Sequence, residues 1–513
     1  MAPPSSSDVL GTLEALILDR ASVHASASYL FEARGPRTLS FEGLSLEVTS
    51  LRRRLASWNL GPGDRVGLLI SDPLTFATWF LAGLTIGMWV TPFDPTVSSR
   101  NLLKIDLRAR ALGAHVVLSD RDGPGGASLN WITVTSDAPS ALDTRHASMR
   151  WAETGGVVLS SSGTSGTPKV VALPSAQLLE TAQLIAMHNR LEVTDRGFNP
   201  LPLWHVNAEV VGLLATLVAG ASLVLDDRFH RTGFWKIVDD FDVTWINAVP
   251  AIISRLVVLH EDETPPKRVR FVRSASAPLS RALFDEFEAL TGIPIIQSYG
   301  MTEAASQICA NPLSGVRKSG SVGVPVGVEV RIAPMESDAS LEGTSLVGHI
   351  EIKGPTVITR YESPGYDDRF DHEGWLRSGD LGYFDEDHYL FIVGRNDDLI
   401  NRGGEKIYPL EIENVLATVE GAAAVAVIGE PDEVFGQVPV AYVQPEDAAV
   451  LNSAKELTEL VERLRVSAYE GFAKAYRPTT LKLVAKLPVH ATGKIAKGLL
   501  RDGDVAVAYE ERL

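Results

Sequence analysis

Five short polar clusters have the residue types and spacing to do chemistry. The first runs from Leu159 to Lys169, LSSSGTSGTPK, behind an apolar run from Gly156 that reads as a buried strand. Hydroxyls and backbone N–H groups supply donors, the glycines let the backbone come close, and Lys169 adds charge. Together these suit a polyphosphate. It is not a Walker A loop, which needs Gly before the Lys and Ser or Thr after it. Here Pro168 and Val170 hold those positions. Alone, the cluster would equally suit a surface loop.

The second cluster is Gln297 to Glu303, QSYGMTE. Tyr299 can stack on a base, and Thr302 with Glu303 offers the oxygen ligands that Mg²⁺ requires. In the third, Arg377 to Gly382, the Asp380 carboxylate can accept from both hydroxyls of a ribose or simply cap a turn. The fourth, Gly394-Arg395, can supply a second sugar contact. The fifth, Ala491 to Ile495, sets Lys494 on a glycine turn, where a lone lysine would otherwise be solvated.

The elements that must position these clusters alternate. Apolar runs at 65–70, 89–92 and 115–118 read as strands, with helices over 10–25, 39–55, 73–86 and 102–112. The rhythm resumes after the first cluster. Helices are expected over 175–189, 209–219, 234–240, 250–260 and 280–291, and strands over 198–202, 221–225, 243–246, 268–272 and 293–297. Such alternation means βαβ units and parallel sheets, whose ligands bind at strand ends. From about residue 321 the pattern turns β-rich, over 328–332, 348–353 and 389–393, and reads as a small antiparallel or barrel unit. Helices over 410–418 and 455–467 and strands over 422–428 and 480–484 close the chain as a compact α+β segment. The expected fold is therefore α/β. A large N-terminal domain of two βα subdomains and a small β-rich one (1–396) precedes a small α+β C-terminal domain (397–513).

With 513 residues, 45% of them hydrophobic and 22% charged, the chain is globular and too long for one core. A net charge of −17 disfavours non-specific binding to nucleic acid or anionic membrane. No run reaches the roughly 18 apolar residues of a membrane span, and no secretory signal is expected at the N-terminus. The one cysteine, Cys309, excludes an intrachain disulfide and reads as a buried structural thiol, consistent with a reducing cytoplasm.

Taken together, the five clusters closely resemble the adenylate-forming superfamily: acyl-CoA synthetases, carrier-loading adenylation domains and firefly-type luciferases. The resemblance rests on SSSGTSGTPK, SYGMTE, SGDLGYFDEDHYLFIVGR, GGEKIYPLEIE and TGKI, in this order over nearly the whole chain. It implies a large N-terminal domain and a mobile C-terminal lid. It assigns Ser161, Ser162, Gly163, Thr164, Ser165, Gly166 and Lys169 to the β- and γ-phosphates of ATP. Tyr299 would stack on adenine, with Gln297 and Ser298 beside it. Thr302 would contact the α-phosphate, Glu303 would hold Mg²⁺, and Asp380 with Arg395 would hold the ribose. Lys494 would bridge the attacking carboxylate, the α-phosphate and the ribose ring oxygen. A lysine between two anions offsets their repulsion, an effect worth about 3–4 kcal/mol per donor in other enzymes.

The resemblance further implies two half-reactions in one pocket. An acid and ATP give an acyl-adenylate and pyrophosphate; the lid then turns about Asp397, and a thiol attacks. Gly403, Gly404 and Lys406 would line the thiol channel. The segment Pro202 to Asn207 resembles the one whose His or aromatic lines the acid pocket, so His205 is expected to steer the acid or assist the thiol. Asn207, Val211, Ala275, Ser276, Ala277, Met301 and Ala304 would wall the pocket. Two departures from the family pattern stand out. Pro168-Lys169-Val170 replaces Pro-Lys-Gly, and Asn401 stands where ligases of the plant phenolic-acid type carry Lys. The expected function is ATP-dependent, AMP-forming ligation of a small or medium carboxylic acid to CoA by a cytoplasmic monomer or homodimer. The alternatives are a stand-alone adenylating enzyme that passes its acid, or an anion such as nitrite, to a carrier-protein thiol or an amine, and a nucleotide-binding protein without turnover.

Overall fold

The computed structural model describes residues 6–135, 155–161, 169–259, 263–335, 347–489 and 495–513. Two sheets with parallel cores carry the first three hundred residues. The six-stranded sheet runs in the order Asn130–Thr133, Val116–Ser119, Arg65–Leu69, Trp89–Pro92, Gly156–Ser161 and Lys169–Pro174. It is parallel except for its last pair, where Ser161 faces Lys169 in antiparallel register. The nine-stranded sheet has a parallel core of Ser28–Glu32, Ser222–Leu225, Arg196–Asn199, Trp245–Ala248, Phe271–Ser274 and Ile295–Tyr299. Short antiparallel strands flank both of its edges. The inner strands are buried on both faces, which is why they read as continuous apolar runs.

The helices start where the sequence provides caps. Ser40 Oγ accepts the Gly43 N–H at 3.0 Å and opens helix Phe41–Ser57, which buries Phe41, Leu44, Val48, Leu51 and Leu55 along one stripe. Asp72 caps helix Pro73–Thr85, with proline in its first turn. Ser280 caps helix Arg281–Thr291, which ends on left-handed Gly292.

The structure corrects several expectations. The expected 209–219 helix winds as a π-helix over Ala208–Leu214 before becoming α-helical at Ala215–Ala219. The expected strands at 198–202 and 268–272 are Arg196–Asn199 and Phe271–Ser274. The N-terminal strands Ser28–Glu32 and Thr38–Ser40 were not expected, and they join the second sheet rather than the first. The two βα units are therefore interleaved, not consecutive.

The β-rich unit is a four-stranded antiparallel sheet, Glu329–Ala333, Gly348–Lys353, Leu376–Phe384 and Leu390–Arg395. One hydrophobic cluster spans Leu13 to Leu390. A separate cluster begins at Ile400 and fills the last sheet, built on the long hairpin Ala422–Asp432 and Gly436–Pro445 and covered by helix Ala454–Gly471.

At the centre of the large sheet, Gly197, Trp245 and Phe271 sit side by side in parallel register. The Trp245 ring stacks on Phe271 with centroids 5.8 Å apart, and a Cβ on Gly197 would lie 2.6 Å from that ring. The glycine is there because the tryptophan covers it. Trp245→Ala should destabilise the protein by about 3–5 kcal/mol, seen as a lower urea midpoint at unchanged slope.

Candidate active site

The strand Ile295–Tyr299 ends on a loop that folds back on itself. A Cβ at Gly300 would lie 1.9 Å from the Ser306 carbonyl oxygen, so only glycine fits. Ala305 and Ser306 are held at φ 46° and 88°, a left-handed conformation that side-chain-bearing residues rarely adopt. This turn leaves Tyr299 at the sheet end, where its hydroxyl donates to Asp380 Oδ2 at 2.5 Å. Arg395 Nε lies 3.2 Å from Asp380 Oδ1, and the two residues are cross-strand partners of the antiparallel sheet. Ser378 Oγ accepts the Asp380 N–H and fixes the turn. Burial, then the Asp380 charge, pushes the Tyr299 phenol well up and keeps it protonated. The Asp380 charge likewise raises Arg395.

Glu303 is buried and accepts the Tyr361 hydroxyl on Oε1 at 2.9 Å. Its Oε2 has no hydrogen-bond partner, and no basic group forms an ion pair with it, among the described residues. Lys169 lies over the rings of Tyr361 and Tyr366, 5.8 and 5.3 Å from their centroids. Burial lowers its pKa first and Arg369 next, while Glu303 opposes them. A Cβ at Gly379 would meet Arg369 and Arg395 at 3.1 and 3.2 Å. Lys169, Arg369 and Arg395 thus lie close together with Glu303, Asp380 and Asp397 among them, and these basic groups can meet a polyanion.

Val170, the departure from the family's glycine, lies in a strand whose N–H donates to Ser363 Oγ at 3.0 Å. Extended backbone there needs no glycine. Ser162, Gly163, Thr164, Ser165, Gly166 and Lys494 lie outside the described residues, as does the side chain of Ser161.

The residues expected to meet the acid lie at and around the π-helix Ala208–Leu214 and the end of strand Phe271–Ser274. Asn207 precedes it, donating to Ser276 Oγ at 3.3 Å and accepting from Asn247 Nδ2 at 2.9 Å. Asn247 Nδ2 also donates to Asn199 Oδ1 at 2.9 Å. Ser276 is held at φ 71°, and Val211, Ala275 and Ala304 are buried. His205 packs on Trp204, with centroids 3.7 Å apart, and its Nε2 is buried without a hydrogen-bond partner among the described residues.

In the C-terminal unit, Gly403 and Gly404 both have positive φ. Asn401 shapes their turn by accepting the Gly404 N–H at 2.9 Å, which gives that departure a structural role. Lys406 Nζ lies 3.9 Å from Met335 Sδ, and Asp398, next to Asp397, pairs with Arg501 at 2.5 Å.

The sequence reading missed Tyr361, Tyr366, Arg369, Asn199 and Asn247. The first three come from a loop with no motif. The two asparagines lie inside strands that read only as apolar.

A tyrosine-bonded carboxylate at a sheet end, with basic side chains beside it, is an arrangement suited to handling a nucleotide. The chain belongs to the adenylate-forming superfamily, in its acyl-CoA synthetase type: the AMP-binding enzyme domain matches residues 19–362, and the AMP-binding enzyme C-terminal domain matches 411–494. It is 33% identical to a sulfoacetate–CoA ligase of Cupriavidus necator over 96% of this chain and 97% of that protein. It is 29% identical to an oxalate–CoA ligase of Arabidopsis thaliana, over 87% and 90%. Its fold matches ATP-bound MatB from Rhodopseudomonas palustris with a TM-score of 0.81 at 26% identity, over 96% of this chain and 98% of that one. It also matches o-succinylbenzoate CoA synthetase from Bacillus subtilis in complex with its acyl-adenylate, with a TM-score of 0.79 at 25% identity, over 95% and 98%.

Burial holds the His205 pKa at about 4, against a weaker opposing pull from Asp94. The unfolded chain takes this proton near 6.5, so the stabilisation from neutral His205 is complete above that pH and is lost as pH falls toward 4. Imidazole ¹⁵N spectra should show His205 neutral at pH 6.5. A midpoint at that pH would contradict its burial.

Proposed function

We propose that the protein is an AMP-forming acid–CoA ligase acting on a small carboxylic acid in the cytoplasm. The observation that carries this reading is the joining of Tyr299, Asp380 and Arg395 at the end of the large sheet, beside the basic groups of Lys169 and Arg369. In the first half-reaction the acid's carboxylate oxygen attacks the α-phosphorus of ATP. The bond from that phosphorus to the bridging oxygen breaks, and pyrophosphate leaves. In the second, the CoA thiolate attacks the acyl carbonyl and AMP leaves.

Each residue's part follows from its chemistry. Asp380, oriented by Arg395, accepts from the ribose hydroxyls, and the Tyr299 ring faces the base. Lys169 and the loop before it hold the β- and γ-phosphates. Thr302 meets the α-phosphate. Glu303 fits a hard cation, because it is a buried carboxylate with an oxygen left open. Mg²⁺ held there would draw charge from the departing pyrophosphate. Lys494 neutralises the repulsion between carboxylate and α-phosphate, and the segment from Asp397 onward forms a lid that turns to bring Gly403, Gly404 and Lys406 to the thiol. CoA is favoured over a carrier protein or an amine because the curated relatives reported above are CoA ligases. Their acids, sulfoacetate and oxalate, each carry a second anionic group.

No described helix is long and apolar enough to cross a membrane. Two variants test the scheme. Lys494→Ala should lower adenylate formation about 100- to 1,000-fold while leaving transfer from preformed acyl-adenylate to CoA largely intact. Equal loss in both half-reactions would count against a moving lid. Asp380→Ala should raise the KM for ATP about 10- to 100-fold, the scale of a lost charged hydrogen bond. An unchanged KM would remove Asp380 from the ribose site.

A further inference from the structure

Arg273 is a fully buried basic group that the scheme above leaves unused. It lies in strand Phe271–Ser274, fully buried. A guanidinium offers five donors and a full charge, and its burial is costly unless an anion faces it. Only Nη2 is bonded, to Gln307 Oε1 at 3.2 Å. Nε and Nη1 have no partner, and neither does Gln307 Nε2. No carboxylate pairs with Arg273 among the described residues. The nearby titratable ring is His188, which burial keeps neutral, with the Arg273 charge acting the same way and a bond to the Asn311 carbonyl opposing. Burial pulls Arg273 down to about 9, which leaves it charged at neutral pH. Asn247 Oδ1 is also unpartnered, but one amide oxygen does not neutralise a cation.

Its position gives this charge a use. Arg273 is the register partner of Asn247, so both side chains leave the same face of the sheet about 4.8 Å apart. Asn247 holds Asn207, and Asn207 holds Ser276. Gln307 belongs to the strained loop that also carries Glu303. The unfilled donors therefore lie near the asparagine ladder and that loop, whose Asn207, Ser276 and Ala304 the adenylation reading assigns to the acid pocket.

We propose that Arg273, with the Gln307 amide, binds a second anionic group of the substrate, so that the acid activated is doubly anionic: one carboxylate to be adenylated and one carboxylate or sulfonate held by Arg273. This rests on the adenylation reading. It adds a specificity residue and a substrate class to it. The planar guanidinium edge is matched to two oxygens of one anion. A methyl group in place of that anion would leave the charge without a partner.

The test is ATP–pyrophosphate exchange on the full-length protein with paired acids: sulfoacetate, oxalate, malonate and succinate against acetate, propionate and butyrate. The wild type should favour at least one doubly anionic acid over its methyl-ended counterpart by about 100-fold or more in kcat/KM. Arg273→Gln should collapse that ratio about 100-fold, mainly through KM, and Arg273→Lys should restore part of it. Gln307→Leu should lower the ratio in the same direction by a smaller factor, and it carries the test if Arg273→Gln fails to fold. Equal wild-type use of both classes overturns the proposal, as does an Arg273→Gln loss that falls equally on both. Exchange with no acid at all, while ATP still binds, sinks the adenylation reading itself, and the subsite goes with it.

Discussion

The hydrogen bond from Tyr299 to Asp380 ties together two sheets that share no strand. Tyr299 closes the last parallel strand of the large sheet, and Asp380 lies on the small antiparallel one. The site exists only where these two meet. The tyrosine stays a donor because burial and the aspartate both hold its proton. Arg395 then balances the aspartate from the neighbouring strand. Each of the three needs the other two: an unpaired Asp380 or Arg395 in this partly buried place would carry an unanswered charge.

The same logic runs in reverse around Lys169. The chain as a whole is strongly acidic, yet its sheet ends gather Lys169, Arg369 and Arg395. Burial first and the Arg369 charge next disfavour the charged form of Lys169. On the proposed reading a polyanion offsets both, and strand pairing and the ring faces of Tyr361 and Tyr366 already hold the lysine in place.

Much of this was legible in the sequence. Strands with apolar runs, such as Trp89–Pro92 and Gly348–Lys353, fell where expected because local composition decides them. Tyr299, Asp380 and Arg395 read singly as polar residues near glycines, and it was the family resemblance that joined them into one group, which the structure brings together at the strand ends. Other features depend on distant partners. The strand Ser28–Glu32 gains its place in the large sheet from distant Ser222–Leu225, and the π-helix at Ala208–Leu214 is invisible to a period-3.6 reading. Arg273 and Asn247 looked like polar interruptions in apolar strands. Their meaning comes from parallel register, which one sequence does not display.

The interleaving of the two sheets has a consequence for how the chain is made. Residues near the N-terminus leave the ribosome long before their partners: Arg20 bonds the carbonyl of Val218, 198 positions later. The hairpin Ser28–Glu32 and Thr38–Ser40 thus emerges with its parallel edge uncovered and must wait until Ser222–Leu225 arrives. Such late pairing is slow, and an open strand edge is adhesive while it waits.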